Sequence, residues 1–490
     1  MTPRQALQQR LNALENHLKS ENPNLLPIIP TYRQFDRLLY SMGLLQDDES
    51  LATRIPWWPM IAVLGTFSAG KSSFINTTLG ANLQNTGNQA VDDKFTVICY
   101  GADTKYEPLP GTALNADPRF PFYRISDEIE KVAAGEGKRI DSYLQLKTLK
   151  NESVRGKIVI DSPGFDADDQ RRSVLRLTDH IIELSDLVLV FFDARHPEPG
   201  AMQDTLQHLV SKSVRRADAR KFIYVLNQID TTWKEDNAEA VFGAWQRAIA
   251  QSGLVSGRFY AIYNKKAAPP IDDETLRARY EAKCDADMTE IQGRIAEVEV
   301  GRGYRIVGML DSLTKELEGE IVPFLQQALA RWRRGVLIGD AVWAGLRAAV
   351  LGGLSYLIGG ESLGRFAGWL GETGAGGPDG AGLPIRLMVA VALLAGVFLA
   401  GHHWVRGWMA RRVAAGLPER MGEADLNPRN AFLRNTRFFR TAFRKLPVGW
   451  GKRAKGRIFA IRESVAQHVQ RLNDLYTDPA GRRPHPTEGE

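Results

Sequence analysis

The stretch Ile61-Ala62-Val63-Leu64-Gly65-Thr66-Phe67-Ser68-Ala69-Gly70-Lys71-Ser72-Ser73-Phe74-Ile75-Asn76 decides the fold. An apolar run that reads as a buried strand leads into Gly-x-x-x-x-Gly-Lys-Ser and then into a helical pattern. Strand, glycine-rich loop and helix in that order make a phosphate-binding P-loop. Gly65 and Gly70 let the backbone curl so that successive N–H groups point inward at oxygen. The N-terminus of the following helix brings its positive dipole end to the same place. Lys71 would reach the β- and γ-phosphates, and the Ser72 hydroxyl would ligate Mg²⁺. Phe67, Ser68, Ala69, Gly70 and Ser73 complete the expected nucleotide-contacting loop. The bland reading, a strand–helix turn with an incidental lysine, does not account for the flanking elements.

The segments downstream supply the other groups such a site needs. Between the helix and a strand from Phe95 to Tyr100 lies a polar stretch, Gly80 to Lys94, where P-loop GTPases keep a γ-phosphate-sensing switch. Val91-Asp92-Asp93-Lys94-Phe95-Thr96 has no threonine at the usual place, and Asp92 is the residue that could substitute as an oxygen ligand. Lys157-Ile158-Val159-Ile160-Asp161-Ser162-Pro163-Gly164 is a strand ending in Asp-x-x-Gly. Asp161 is expected to hold Mg²⁺, commonly through water, and the Gly164 N–H to bond the γ-phosphate. Leu187 to Ala194 is a continuous apolar run, as in a strand buried on both faces of a parallel sheet. Met202, Leu206, Leu209 and Val210 mark a helix behind it. The run Lys221 to Leu226 leads into Asn227-Gln228-Ile229-Asp230, an Asn-x-x-Asp base-reading element. The Asp230 carboxylate can accept from guanine N1–H and the 2-amino group, and Gln228 stands where a lysine is usual. A final strand, Arg258 to Tyr263, ends at Asn264-Lys265-Lys266, where a fifth base-contacting loop would sit. Alternating strands and helices, with ligand groups at strand C-terminal ends, predict an α/β P-loop domain with a doubly wound, mostly parallel sheet.

A chain of 490 residues is too long for one core and suggests several domains. The 63 Lys+Arg against 57 Asp+Glu give +6, too mild to name a partner. Two distant cysteines, Cys99 and Cys284, imply neither a disulfide framework nor a zinc site. The N-terminus lacks the apolar core of a cleavable signal. Leu7, Leu11, Leu14 and Leu18 form a helical stripe, and Phe35, Leu38, Leu39 and Met42 a second one. These helices read either as packed on their own chain or as an oligomer contact. Cys284, Met288, Ile291, Ile295 and Val298 step at helical spacing, as do Leu310, Leu313, Leu317, Ile321 and Phe324, with Gly301 and Gly303 expected to kink the stalk between them.

Two apolar segments follow, Ala341 to Gly360 and Leu387 to Gly401, the second extending through His402, His403 and Trp404, joined by a Gly-rich loop from Glu361 to Pro384. A transmembrane helix needs roughly 20 apolar residues, and each segment just reaches that. Arg347 would cost about 2.5–3.5 kcal/mol at mid-bilayer. Arg331, Arg333 and Arg334 before the first segment, and Arg406, Arg411 and Arg412 after the second, place both outer ends on the cytoplasmic side. The expectation is a multi-pass membrane hairpin; a re-entrant hairpin or a pair of buried helices is the alternative. Beyond it, Arg434, Arg437, Arg440, Arg444, Lys445, Lys452, Arg453, Lys455 and Arg457 are interleaved with Phe432, Phe438, Phe439, Phe443 and Trp450. That segment suits anionic lipid headgroups, and its closeness to the hairpin argues against nucleic acid. Ile458, Ile461, Val465, Val469, Leu472 and Leu475 give the last helix a clean apolar face. The organisation read from the chain is N-terminal helices joining a bundle (1–54), nucleotide domain (55–272), helical stalk (273–334), membrane hairpin (335–405), basic return helices (406–478) and a disordered tail (479–490).

With these residues in place, the chain resembles the dynamin superfamily, particularly bacterial dynamin-like proteins and the Eps15-homology-domain ATPases. The carriers are Gly65 to Ser73, Asp161-Ser162-Pro163-Gly164, Phe192-Asp193-Ala194 and Asn227-Gln228-Ile229-Asp230, and Asp93-Lys94-Phe95 is similar to the end of the switch signature of the latter group. The resemblance implies a GTPase using GTP, or ATP, with Mg²⁺, assembling as a homo-oligomer through nucleotide domains and stalk to remodel, tether or fuse membranes. It implies that Ser68 contacts the phosphate bridge and that head-to-head dimerisation stimulates hydrolysis. An ATP-binding membrane scaffold with little hydrolysis and a soluble regulatory GTPase are the alternative functions. Phe67 departs from the polar residue of eukaryotic dynamins, and no EF-hand loop is present.

Overall fold

The structure is a computed structural model that describes residues 2–66, 68–84, 94–101, 108–116, 119–120, 130, 135–164, 172–195, 221–251, 258–358, 364, 368 and 382–476. Phe67, the switch residues Asp92 and Asp93, the helix expected around Met202 to Val210, most of the Gly-rich loop and the tail lie outside the described residues. The chain divides into two compact units, residues 1–30, 51–308 and 466–490 in the first, 31–50 and 309–465 in the second.

The first unit is built on an eight-stranded sheet. Its strands are β1 (Met60–Gly65), β2 (Phe95–Tyr100), β3 (Leu109–Pro110), β4 (Leu144–Leu149), β5 (Ile158–Asp161), β6 (Leu187–Asp193), β7 (Phe222–Asn227) and β8 (Arg258–Ile262). They lie in the order β3-β4-β2-β5-β1-β6-β7-β8. The pairs β2/β5 and β3/β4 are antiparallel and the others parallel, so the sheet is mostly parallel. The apolar runs at β1, β5, β6 and β7 are buried along their whole length, as parallel strands covered on both faces must be. β4 lacks such a run: Leu144, Leu146 and Leu149 alternate with polar residues, and the segment is a strand because β2 supplies its ladder partner.

Around the sheet stand α1 (Pro3–Glu21), then α3 (Lys71–Leu79), α4 (Thr112–Ala116), α5 (Arg172–Leu184) and α6 (Ala238–Gln251), while α2 (Ile29–Met42) belongs chiefly to the second unit. The leucine stripe of α1 is buried, and the helix belongs to the first unit. Its last residue makes the attachment: the Glu21 carboxylate accepts from Trp58 Nε1 at 2.9 Å and from Arg119 at 3.3 Å. The long helix α7 (Glu274–Glu316) runs through Gly301 and Gly303 unbroken, correcting the expected kink. A helical glycine costs roughly 1 kcal/mol, and here tertiary packing offsets it, with Gly303 buried close to Leu25 and Leu472. The irregularity instead falls at a π-turn, Leu317–Ile321.

One carboxylate ties α7 to the sheet. Asp186, just before β6, accepts from the Met60 N–H at 2.9 Å through Oδ2, while Oδ1 takes Arg302 at 2.9 Å and Arg305 at 2.6 Å. Arg302 also donates to the Pro56 carbonyl at 2.7 Å.

The second unit contains α8 (Val322–Ile358), α9 (Gly382–Ala415), α10 (Pro428–Asn435) and most of α11 (Lys452–Tyr476). α8 and α9 lie antiparallel, with large and small residues interlocked. A Cβ on Gly335 would meet Met409 at 2.1 Å, one on Gly339 would meet Val405 at 2.5 Å, and one on Gly401 would meet Trp343 at 1.6 Å. Polar groups sit in the same seam: His402 Nδ1 lies 2.7 Å from Asp340 Oδ2, and Arg347 reaches the Val397 carbonyl with its guanidinium 4.6 Å from the Trp343 ring. Among the described residues no helix is long and apolar enough to cross a membrane. The segments expected to form the hairpin are seen as an antiparallel pair of helices, α8 and α9. Arg347, inside the first apolar run, and Asp340 and His402, at the edges of the two runs, each meet a partner on the other helix.

The Asp186 clasp makes a quantitative prediction. Removing one partner of a buried ion pair leaves an uncompensated charge and costs about 3–5 kcal/mol. Asp186→Ala is expected to lower the denaturation free energy by that amount in urea unfolding, whereas an unchanged midpoint would show that Arg302 and Arg305 find other acceptors.

Candidate functional site

The functional groups collect at the C-terminal edge of the central strands. β1 ends at Gly65, whose Cα lies so near β6 that an added Cβ would stand 2.6 Å from the Phe191 carbonyl oxygen. That approach leaves room for glycine alone. Thr66 follows, and Ser68 (φ 59°) and Gly70 (φ 83°) adopt left-handed backbone, curling the loop before α3. Lys71, at the first turn of α3, threads back into the curl and donates to the Gly65 and Thr66 carbonyls, both at 3.0 Å. Burial pushes its ammonium down to about 8, against an opposing pull from Asp161.

Asp161 ends β5 opposite Val63 of β1 and Thr96 of β2. Its Oδ2 accepts from the Ser72 hydroxyl at 3.3 Å. The Ser162 N–H continues the ladder to the Val63 carbonyl at 3.0 Å, and Gly164 follows two residues on, half-buried. The structure therefore brings Lys71, Ser72 and Asp161 together although Asp161 is remote from the loop in sequence. A hydroxyl and a carboxylate side by side form an oxygen donor set of the type a small hard cation such as Mg²⁺ takes, in company with phosphate oxygens and water. The described residues contain no cluster of three His, Cys, Asp or Glu side chains fit for a metal. The donor set fits a cation shared with a bound phosphate group rather than one held by protein alone.

The segment Asn227-Gln228-Ile229-Asp230 is clasped to the same loop. Asn227, at the end of β7, donates from Nδ2 to the Ala69 carbonyl at 2.9 Å, and a Cβ on Gly70 would strike that Nδ2 at 2.2 Å. Gln228, itself left-handed (φ 64°), donates from Nε2 to the Ser68 carbonyl at 2.7 Å. Thus the residue standing in the lysine position ties β7 to the P-loop with a neutral amide. Asp230 is buried on the following 3₁₀ turn, Ile229–Glu235. Burial raises its carboxyl above the ordinary range, while Arg195 acts to lower it. Arg195 in turn grips Asp193 at the end of β6, with Nε at 2.9 Å and Nη2 at 2.5 Å from Oδ2.

Several residues of this edge were not singled out from sequence. Asn264 Nδ2 donates to Ser73 Oγ at 3.0 Å, joining the loop after β8 to α3. Gln84 Nε2 donates to Asp161 Oδ2 at 2.7 Å, and Lys147 of β4 donates to Gln84 Oε1 at 2.6 Å. A lysine on an alternating strand reads as solvated, and only the fold reveals that this one points under the P-loop edge.

Residues 61–229 match the family model described as "Dynamin family". No curated protein matches the chain. Among solved structures, a member of an oligomerised bacterial dynamin pair, described as providing a mechanism for long-range sensing and tethering of membranes, is 14% identical, with 96% of this chain and 79% of that one covered at a TM-score of 0.36. LeoA, a bacterial dynamin GTPase from ETEC, is 14% identical, with 97% and 88% covered at 0.29. Scores this low describe a similarity and carry no argument about activity or assembly. The family match covers the segment that carries the P-loop and the central strands of the mostly parallel sheet.

Proposed function

We propose that the protein is a membrane-associating GTPase of the dynamin type that binds and hydrolyses GTP with Mg²⁺ and couples that cycle to self-assembly on a lipid surface. The observation that carries the nucleotide half is the convergence of Lys71, Ser72 and Asp161 beside the curled loop of Gly65 to Gly70. In this reading the backbone N–H groups from Gly65 to Ser73 take the phosphates. Lys71 would leave its two carbonyl acceptors for β- and γ-oxygens, and Ser72 and Asp161 would hold a Mg²⁺ that would supply charge neutralisation at the phosphates. Ser68 approaches the phosphate bridge and Gly164 the γ-phosphate. Asp230 accepts from guanine, and Asn227 with Gln228 hold the base-side loop against the P-loop.

The lipid half rests on the surface of the helix pair. Ile338, Val342, Leu346 and Val350 stand at four-residue steps along α8 and are each between 54% and 66% exposed. On α9, Val397, Leu399, Trp404 and Trp408 are exposed as well. The basic aromatic segment lies alongside: Phe438 stacks on His403 with ring centroids 3.9 Å apart, Arg406 reaches the Arg437 carbonyl, and Phe439 and Phe443 are exposed. Exposed aliphatic residues beside aromatic and cationic ones suit shallow insertion among anionic headgroups. Both ends of the hairpin would then remain on the cytoplasmic face.

The expected results are specific. Lys71→Ala abolishes turnover of GTP by purified protein, and turnover equal to wild type would overturn the reading; faster turnover of ATP than GTP would assign the base site to adenine. Because Lys71 is neutral above pH about 8 in the free protein and must be charged against phosphate, nucleotide affinity should fall as pH rises through 8, by about tenfold per unit as one proton is taken up on binding. A triple variant Ile338→Glu, Val342→Glu, Leu346→Glu should lose co-sedimentation with phosphatidylserine vesicles while keeping vesicle-free turnover. Retained sedimentation would remove the helix pair as the lipid-binding element.

A further inference from the structure

Behind the Ser72–Asp161 pair lies a buried side-chain chain that the P-loop motifs do not include. Asn76 sits one turn below Ser72 on α3, and its amide clamps the backbone after that helix. Its Oδ1 accepts from the Leu83 and Gln84 N–H groups at 3.0 and 2.9 Å, and its Nδ2 donates to the Gln84 carbonyl at 2.8 Å. So held, Gln84 sends its side-chain Nε2 to Asp161 Oδ2 at 2.7 Å, closer than the Ser72 hydroxyl on the same oxygen at 3.3 Å. Gln84 Oε1 accepts from Lys147 Nζ at 2.6 Å, and the same ammonium donates to the Leu83 carbonyl at 3.0 Å. Asn76, Gln84, Lys147 and Asp161 are all buried.

The chemistry of the end groups fixes the middle one. A lysine ammonium only donates and a carboxylate only accepts, so the amide between them has one orientation, oxygen to Lys147 and nitrogen to Asp161. A buried cation needs acceptors and a buried carboxylate needs donors. The amide serves both and keeps the two charges from collapsing into a direct ion pair that would draw Asp161 away from Ser72. The metal-facing carboxylate thus receives a donor whose position is set by a cation on β4 and by an asparagine on the helix that carries Ser72.

We infer that Gln84, oriented by Lys147, is a positioning residue that aims Asp161 at the cation bound with nucleotide, and so sets the Mg²⁺ affinity of the nucleotide complex. The inference rests on the Mg²⁺ site given under Proposed function. Groups behind a ligand that orient it are typically worth about 10–100-fold in metal affinity.

The test is equilibrium binding of a fluorescent, non-hydrolysable GTP analogue to the full chain, in EDTA and across a Mg²⁺ titration. Wild type is expected to bind more tightly as Mg²⁺ is added. Gln84→Met should raise the Mg²⁺ midpoint about 10–100-fold and leave affinity in EDTA unchanged, because the P-loop contacts are intact. Lys147→Met should shift it in the same direction by freeing the amide, and Lys147→Arg should keep it near wild type. Removing either partner alone strands a buried polar group, so the double variant Gln84→Met, Lys147→Met guards against a folding defect. It should unfold near the wild-type temperature yet keep the raised midpoint. A wild-type midpoint in Gln84→Met, or its restoration in the double variant, overturns the inference and leaves the pair a folding element. Wild-type binding indifferent to Mg²⁺ would instead sink the Mg²⁺ site itself, and this inference with it.

Discussion

The close approach of β1 to β6 at Gly65 is the constraint on which the nucleotide edge depends. With no side chain between Gly65 and the Phe191 carbonyl, β1 can end flush against its neighbour and the chain can turn at once into the loop. The Phe74 and Phe191 rings meet at 4.9 Å and pack α3 against β6. The groups on α3 are placed from there. Lys71 points back into the curl, Ser72 faces β5, and Asn76, one turn on, reaches the backbone that presents Gln84. A larger residue at position 65 would push β1 from β6 and misplace all three.

The base-side clasp works on the same principle of short connections between strand ends. Asp193 and Asn227 are paired residues at the ends of β6 and β7, so Arg195 just after one and Asp230 after the other are brought near each other. Asn227 and Gln228 then bind consecutive carbonyls of the P-loop. A lysine in place of Gln228 would add a charge to this seam, but an amide makes the same hydrogen bond without one. The loop that would hold phosphate and the loop that would hold the base are therefore one mechanical unit even with the departure at Gln228.

The second unit is governed by a different physics. Glycines 335, 339 and 401 allow α8 and α9 to sit close, and each opposes a large side chain on the other helix. The seam holds polar partners as well, which leaves the outward faces to carry the apolar load. Exposed Ile338, Val342, Leu346 and Val350 stay solvent-facing in the isolated chain, a surface that soluble folds ordinarily cover.

Strand runs, the loop motif, Asp-x-x-Gly and Asn-x-x-Asp were legible because each is local: a buried strand is a continuous apolar run, and a phosphate loop has fixed spacing. Helical stripes at Leu7 to Leu18 and at Ile458 to Leu472 were legible for the same reason. Which unit α1 belongs to and the uninterrupted course of α7 through Gly303 were not, since each depends on partners distant in sequence. Lys147 is the clearest case. By pattern it is the polar position of an alternating strand, and by structure it is a buried cation whose ammonium is satisfied by Leu83 and Gln84. The sequence by itself determined the nucleotide fold and the groups at its centre, through local periodicity and motif spacing. Only the tertiary structure decided how Gly65 to Ser73 is backed, because the residues behind it come from α3, β4 and β5, and nothing along the chain announces that they meet.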